Sequence, residues 1–409
     1  MTSGNSRTRN VLISGASIAG PALAYWLHRY GFRVTVVEKA SAPRSGGYPI
    51  DVRGTAIDVA AHMGILPRLQ AAHVHTERIT FLDPDGAEIT TLAPHTLAGS
   101  VEGRDLEVRR GDLTAILYDT VRDDVEFRFD DSIDTLDQTD HGVDVTFRSG
   151  VHRTFDLVVG ADGIHSHTRN LLFGPESRFH RHLGFRFAVF TMPNTLGLSR
   201  ELLMWNAPGR SAALYATGTR DDDLHAFLNL HAPEGTAADG EPELPARRES
   251  AEPDTDLITS AFTDTAWQIP DIIDAMGRAD DLFTDTVAQI HLPAWSTGRT
   301  ALVGDAAYAP SFLTGQGTSL ALVGAYMLAH ALASHPTHTA ALTAYDHTTR
   351  PFVTANQSLI THGSAALFPT TAQTLNDRNK RLQTLATLPT PTPRPAYTAL
   401  TLPEPPPTP

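Results

Sequence analysis

Cysteine is absent from all 409 residues, which excludes disulfides, thiolate nucleophiles, iron–sulfur clusters and cysteinyl flavin links. Lysine is nearly absent as well, with Lys39 and Lys380 the only two. Acidic residues outnumber basic ones by 46 to 32, and a net charge of -14 argues against nucleic acid, whose partners carry a basic footprint. It argues also against an anionic membrane surface. No apolar run approaches the ~18 residues that a membrane span needs, and the polar first ten residues lead into no apolar signal core. What remains is the expectation of a cytoplasmic enzyme of two or three domains. It would act on a small molecule as a monomer or homodimer.

Three glycine-punctuated segments stand out against this background. Residues 11–14 form a short apolar strand that runs into Gly15, Ala16, Ser17, Ile18, Ala19 and Gly20. Pro21 to Tyr30 has helical apolar spacing, Gly31 stops it, and Arg33 to Glu38 is a second strand. This βαβ unit carries the first and last glycines of the dinucleotide fingerprint, with Ser17 in the middle position. The first glycine makes the tight turn and the last lets helix and strand pack closely. The exposed N–H groups and the helix dipole attract a pyrophosphate. Glu38, followed by Lys39, ends the second strand where an acidic residue accepts hydrogen bonds from a ribose. An ordinary βαβ turn with a surface glutamate would share these residues, and the fingerprint alone does not separate FAD from NAD.

The second segment is Asp156-Leu-Val-Val-Gly-Ala-Asp162-Gly163, and the third is Leu302-Val-Gly304-Asp305-Ala-Ala307. Together with the first they resemble the class A flavoprotein monooxygenases of the para-hydroxybenzoate hydroxylase type, over roughly residues 10–60, 105–175 and 285–335. Within that class, the stretch Gly46-Gly-Tyr-Pro-Ile-Asp51-Val-Arg53-Gly54 is most similar to the tetracycline-inactivating and antibiotic-tailoring hydroxylases. The resemblance implies an α/β fold in which a Rossmann-like FAD-binding domain is combined with a β-sheet substrate domain and a C-terminal helix. Its expected boundaries are 1–75, 101–178 and 280–335 for the FAD-binding domain, and 76–100 and 179–279 for the substrate domain. A helical segment would follow at 336–387, then a Pro/Thr-rich disordered tail at 388–409.

The resemblance also implies site residues. Arg110, rather than its neighbour Arg109, matches an arginine contacting the flavin nucleotide. Asp51 matches an acidic residue near the flavin, Arg44 one associated with the nicotinamide cofactor, and Asp162 with Gly163 a segment linked to both FAD and NAD(P)H. Asp305 matches the aspartate that hydrogen-bonds the ribityl chain. The loop from Pro310 through Gly315 to Gly317 leads into a long apolar helix over 319–332. Its N–H groups and positive dipole end suit the pyrimidine edge of reduced flavin. Phe312, Arg186, Phe190, Met204 and Arg210 are candidates to face the substrate, of which Phe312 would serve equally as core. FAD would be the resident cofactor and NAD(P)H a transient reductant. Dioxygen would react through a C4a-hydroperoxyflavin to hydroxylate an aromatic or polycyclic molecule, with no separate catalytic triad. Baeyer–Villiger oxidation, epoxidation or oxidative decarboxylation would use the same chemistry. A flavin-binding sensor or sequestering protein without turnover would carry the same motifs.

Other patterns point less far. Trp267-Gln-Ile269-Pro270 resembles part of the Trp-x-Trp-x-Ile-Pro signature of flavin-dependent halogenases, but the first tryptophan is Thr265 and no lysine lies between Lys39 and Lys380. The pairs His73/His75, His165/His167 and His180/His182 lack a third ligand at metal spacing, so no metal is expected. Ser166 or Thr168 reads as a helix cap. Strands are expected at 126–129, 143–147 and 157–159 as hairpins, with β-rich sequence from Phe179 to Leu230. A loop is expected over 231–257 and a helix over 264–276.

Overall fold

The structure, a computed structural model, describes residues 9–44, 46–219, 222–232, 252–262, 267–361, 367–387 and 393–405. A six-stranded sheet runs in the order Ser296–Thr297, Thr300–Leu302, Leu157–Gly160, Asn10–Ser14, Arg33–Val37, Glu126–Arg128. All its pairings are parallel except the hairpin at Ser296–Thr297. Alternation along these strands divides their side chains between two cores. Val11, Ile13, Val36, Leu157 and Val159 turn toward helices Ala19–Arg29 and Gly317–Ser334. Leu12, Val37 and Val158 turn instead onto a three-stranded antiparallel sheet, whose Val143, Val145, Phe147 and Phe155 fill the second core. Burial on both faces explains why these strands read as unbroken apolar runs.

The expected hairpins over 126–159 are therefore corrected. Glu126–Arg128 and Leu157–Gly160 belong to the parallel sheet, while Val143–Phe147 pairs with His152–Phe155 and with Ile133–Gln138. The last strand has a weak sequence signature because it is exposed along most of its length and only Ile133 and Leu136 are apolar. A second correction concerns helix Gly317–Ser334. Its 18 residues are long and apolar enough to cross a membrane by length and composition, yet 78% of that window is buried inside the protein. It lies between helices Ala19–Arg29 and His338–Gln357 as a core helix.

A seven-stranded sheet has the order Phe283–Ile290, His180–Met192, Leu224–His231, Arg210–Ala216, Glu201–Ala207, Arg78–Leu82, Glu88–Leu92. On one face, Ala188, Phe190, Trp205, Leu214 and Leu228 pack against Ile258 and Ile272 of helices Glu252–Ala261 and Ile269–Met276, and against Phe262 just after the first. On the other, Phe185, Phe187, Val189, Met204 and Ala213 meet Tyr48, Leu313, Phe368 and Leu382. That second face looks toward the parallel sheet's loops and toward helix Ala372–Leu385.

Three further expectations change. Helix Glu252–Ala261 occupies the end of the expected 231–257 loop, whose residues 233–251 lie outside the described residues. The helix expected from 264 begins at Ile269, with 263–266 likewise outside. The 388–409 tail is structured over 393–405: Tyr397 is 2% exposed within the short 3-10 helix Pro395–Thr398, and Leu400 and Leu402 pack on the main core. Proline-rich composition disfavours regular pairing, but individual side chains can still be anchored. Residues 388–392 and 406–409 lie outside the described residues.

Candidate functional site

The three glycine-punctuated segments converge through sheet register. Ser14 pairs with Gly160 and Gly160 with Leu302, so the parallel strands bearing them end in one row. Gly15, Ala161 and Val303 follow at the carboxyl edge, where ligands of open parallel sheets bind. Packing at this edge leaves no room for side chains. A Cβ on Gly15, whose φ is +109°, would lie 2.4 Å from the Ala161 carbonyl oxygen. One on Gly20 would lie 1.9 Å from the Gly15 carbonyl oxygen, and one on Gly304 2.9 Å from Ala19 Cβ. Helix Ala19–Arg29 thus presses its first turn onto the glycine loop, and no side chain caps it at Ile18. Its unpaired N–H groups remain available to an anion.

Side chains from all three segments face this loop. Glu38 accepts the Ala16 N–H through Oε2 at 2.8 Å and the Ala40 N–H through Oε1 at 3.0 Å. Arg110, at the start of helix Arg110–Val121, donates through Nη2 to Ser17 Oγ at 3.3 Å. Arg109 points elsewhere, donating to Thr217 Oγ1 on the seven-stranded side. Asp305 is exposed, yet its pKa is raised, with burial the largest cause and the Arg110 charge opposing it. A water-accessible carboxyl walled in by protein is what the floor of a deep cleft produces. Gly315 forms the far rim: a Cβ there would come 2.9 Å from Arg53 Nη1 and 3.0 Å from Asp51 Oδ2. Arg53 Nη2 donates to Asp51 Oδ1 at 2.5 Å, and burial pushes the Asp51 carboxyl up to about 6 against the pull of Arg53. Helix Gly317–Ser334 starts here without a side-chain cap, and beside it the buried Gln316 Oε1 has no hydrogen-bond partner among the described residues.

Asp162 is placed beside the cleft, but its carboxylate is engaged locally. Oδ1 accepts from Ser166 Oγ at 2.5 Å, and Oδ2 accepts from Thr168 N and Oγ1 at 2.9 and 2.8 Å. It holds the Gly163 turn in shape. Ser166 also caps helix His167–Phe173 by accepting the Arg169 N–H. Arg169, fully buried, was missed by the sequence reading. It donates to Glu176 Oε2 at 2.6 Å and to the Ile164 and Ala306 carbonyls, tying the second segment to the residue after Asp305. A buried-arginine requirement has no periodicity to betray it. Lys39 and Arg44 are exposed.

The substrate-side candidates divide. Phe312 is 42% exposed and stands with Phe187 and Phe368 at ring distances of 5.1 and 6.1 Å, on the face that meets the cleft. Met204 is on that face too, but buried beneath Leu382. Phe190 and Arg210 do not face the cleft. Phe190 is 1% exposed in the opposite core, and Arg210 donates to the Ala261 carbonyl and lies over Phe262, because strand alternation turns both toward helix Glu252–Ala261. Arg186 alternates with Phe187 and so shares that opposite face. Trp267 stacks on Trp205 in the same core, which accounts for the partial halogenase-like motif.

Both ring nitrogens of His165 meet carboxylates, Nδ1 at Glu176 and Nε2 at Asp285, each at 2.9 Å. Both nitrogens therefore carry protons, and the pKa is raised to about 10, the Asp285 hydrogen bond contributing most. A raised histidine stabilises fully below its unfolded pKa of ~6.5 and loses that contribution as pH rises through the folded value. His165→Gln is expected to cost about 1 kcal/mol or less at neutral pH, because the ring is half exposed. Thermal melts should show the deficit vanish in alkali. An equal deficit at neutral and alkaline pH would contradict this. Among the described residues, no group of three or more His, Asp or Glu side chains is arranged so that it could hold a metal ion.

Comparison with known proteins adds independent findings. The family model described as FAD binding domain matches residues 8–358. A flavin-dependent monooxygenase from an unknown prokaryotic organism is 37% identical over 376 residues, covering 91% of this chain and 94% of that protein. A flavin-dependent monooxygenase of Legionella longbeachae is 35% identical, covering 86% and 88% respectively. The crystal structure of the tetracycline destructase Tet(55) superposes with a TM-score of 0.82 at 34% identity, covering 98% of this chain and 99% of that one.

Proposed function

This chain belongs to the FAD binding domain family as an FAD-dependent monooxygenase, and we propose that it hydroxylates an aromatic or polycyclic small molecule of the antibiotic kind. The observation that carries this reading is the aromatic face over the cleft. Phe312 projects from the flavin-side loop toward Phe187 and Phe368, and Tyr48 meets Phe227 edge-on at 5.3 Å. Such walls bind flat rings and exclude water. Likeness to a tetracycline destructase supports the same substrate class.

The residues present fit FAD. The glycine cradle and free N–H groups suit its pyrophosphate, with Arg110 supplying positive charge. Glu38 suits the adenosine ribose, and Asp305 a hydroxyl-bearing chain crossing the cleft floor. The loop at Gly315 admits a flat ring against backbone, and the uncapped start of helix Gly317–Ser334 favours negative charge developing there. When bound, the reduced flavin supplies the activation of dioxygen. The protein contributes position, dryness and a fixed dipole field, and NAD(P)H is the reductant typical of the family.

The test is NADPH oxidation by the FAD-loaded protein with a panel of tetracyclines and aromatic polyketides under labelled dioxygen. Substrate-stimulated consumption with one labelled oxygen atom in the product is expected. Bound FAD that NADPH never reduces would instead mark a sensor or sequestering protein. Ring expansion or loss of carbon dioxide would mark a different oxygenation. Phe312→Ala is expected to raise KM for a ring substrate by about 10-fold, the loss of one exposed aromatic contact, with FAD affinity unchanged. Steady-state kinetics beside an FAD titration checks both.

A further inference from the structure

The last described stretch of the chain, residues 393–405, lies beyond the residues matched by the family model and crosses the Arg53–Gly54 turn. Four parts of the fold hold it: residues 97–99 and the helices bearing Thr55, Tyr326 and Asn356. Arg394 N donates to the Gly99 carbonyl and Arg394 Nη2 to the Leu97 carbonyl. Tyr397 Oη donates to the Ala98 carbonyl at 2.9 Å, and Asn356 Nδ2 to the Ala396 carbonyl at 2.9 Å. Thr55 Oγ1 donates to the Leu400 carbonyl at 2.9 Å, and Tyr326 Oη to the Pro403 carbonyl at 2.6 Å. Such a set of long-range anchors makes this segment a strap.

At its centre the strap touches the site. Gly54 has φ +57°, and a Cβ there would lie 2.1 Å from the Tyr397 carbonyl oxygen, so the strap rests directly on the Arg53–Gly54 turn. The Tyr397 ring lies 5.9 Å from the Arg53 guanidinium carbon. On its other side that guanidinium is bonded to Asp51, and Gly315 fits against both. The Arg53 N–H is meanwhile donated to Ser319 Oγ in the first turn of helix Gly317–Ser334. Contact therefore runs without a gap from Tyr397 through Arg53 and Asp51 to the loop that receives the flavin ring.

We propose that the C-terminal strap is part of the flavin site, and that Tyr397 is a positioning residue that clamps Arg53 onto Asp51 and thereby fixes Gly315. This inference rests on the flavin reading of the cleft. Without the ring, the Arg53 side chain gains a solvated alternative, and Gly315, held at a φ of +64° that a glycine can readily leave, loses its neighbour. The effect falls on FAD affinity, because an ordered loop no longer awaits the ligand.

Titration of the full-length apoprotein with FAD, followed by flavin fluorescence and visible circular dichroism, tests it. Tyr397→Ala is expected to weaken FAD binding by about 10-fold and to alter the dichroism of the bound flavin. Tyr397→Phe keeps the ring beside Arg53 but loses the hydroxyl that donates to Ala98, so it should recover most of the lost affinity. Tyr326→Phe releases the strap only at Pro403, far from Arg53, and should lower the melting temperature with affinity unchanged. Wild-type affinity in Tyr397→Ala would overturn the inference. So would affinity losses in all three variants that track their melting temperatures, since these would reflect fold stability alone. Failure of the wild type itself to bind FAD would overturn the flavin reading, and this inference with it.

Discussion

Gly20→Val is expected to abolish FAD binding in a protein that still folds. At Gly20 a Cβ would sit 1.9 Å from the Gly15 carbonyl oxygen, a backbone atom that cannot swing aside. The helix start must then withdraw from the glycine turn, and the N–H groups that both elements offer to a pyrophosphate no longer converge. A displacement of that size removes most of the anion-binding geometry, so the loss should exceed about 100-fold in affinity, or ~3 kcal/mol. Gly64→Ala is the matched control. Its φ is also positive, at +73°, but nothing lies within 4 Å of the added Cβ. It should cost about 1 kcal/mol of stability from backbone strain and leave FAD binding intact. Equilibrium titration with FAD, alongside circular dichroism to confirm folding, distinguishes the two. Equal affinity in Gly20→Val and wild type would contradict the placement of the pyrophosphate.

The second large effect is on stability. Glu176→Ala leaves the fully buried Arg169 guanidinium without its counter-charge and removes one partner of the His165 imidazolium. Breaking a buried pair from one side costs about 3–5 kcal/mol, far more than an exposed pair is worth. Glu176 keeps partial solvent contact, which places the expectation at the lower end, about 3 kcal/mol. Urea unfolding should show the shift in midpoint with the slope retained. Because Arg169 also donates to the Ala306 carbonyl beside Asp305, FAD affinity should fall along with stability. A loss below about 1 kcal/mol would mean that the pair is solvated and does not brace the second and third segments.

Local signals make the glycine-lined half of the cleft legible in the sequence. A strand, a glycine turn and a helix follow one another within residues 10–30, and their spacing reports both the fold and the anion site. Asp305 is similarly marked by Gly304 before it and by the glycine-rich loop that follows. The missed parts are those whose signal is not local. Arg169 looks like any surface arginine until its burial is seen. Phe190 and Arg210 carry no signal of their orientation, because the alternation of a strand says which residues share a face, not which face is the cleft. Strand Ile133–Gln138 is largely solvated, so its pattern was weak. The tail misled through composition. Prolines disfavour strand pairing and long helices, but Tyr397, Leu400 and Leu402 each found a seat on structure made hundreds of residues earlier.

One titration bears most directly on the claim that three distant segments build a single flavin cleft. Apoprotein is titrated with FAD in parallel for the wild type, Arg110→Ala and Asp305→Ala, and for Glu38→Gln at the opposite end of the site. One FAD per chain is expected for the wild type. Each variant should weaken binding by about 10- to 100-fold, the range for losing a charge-assisted hydrogen bond. A wild type that takes up no FAD, or Arg110 and Asp305 variants that bind it as tightly as the wild type, would contradict the account.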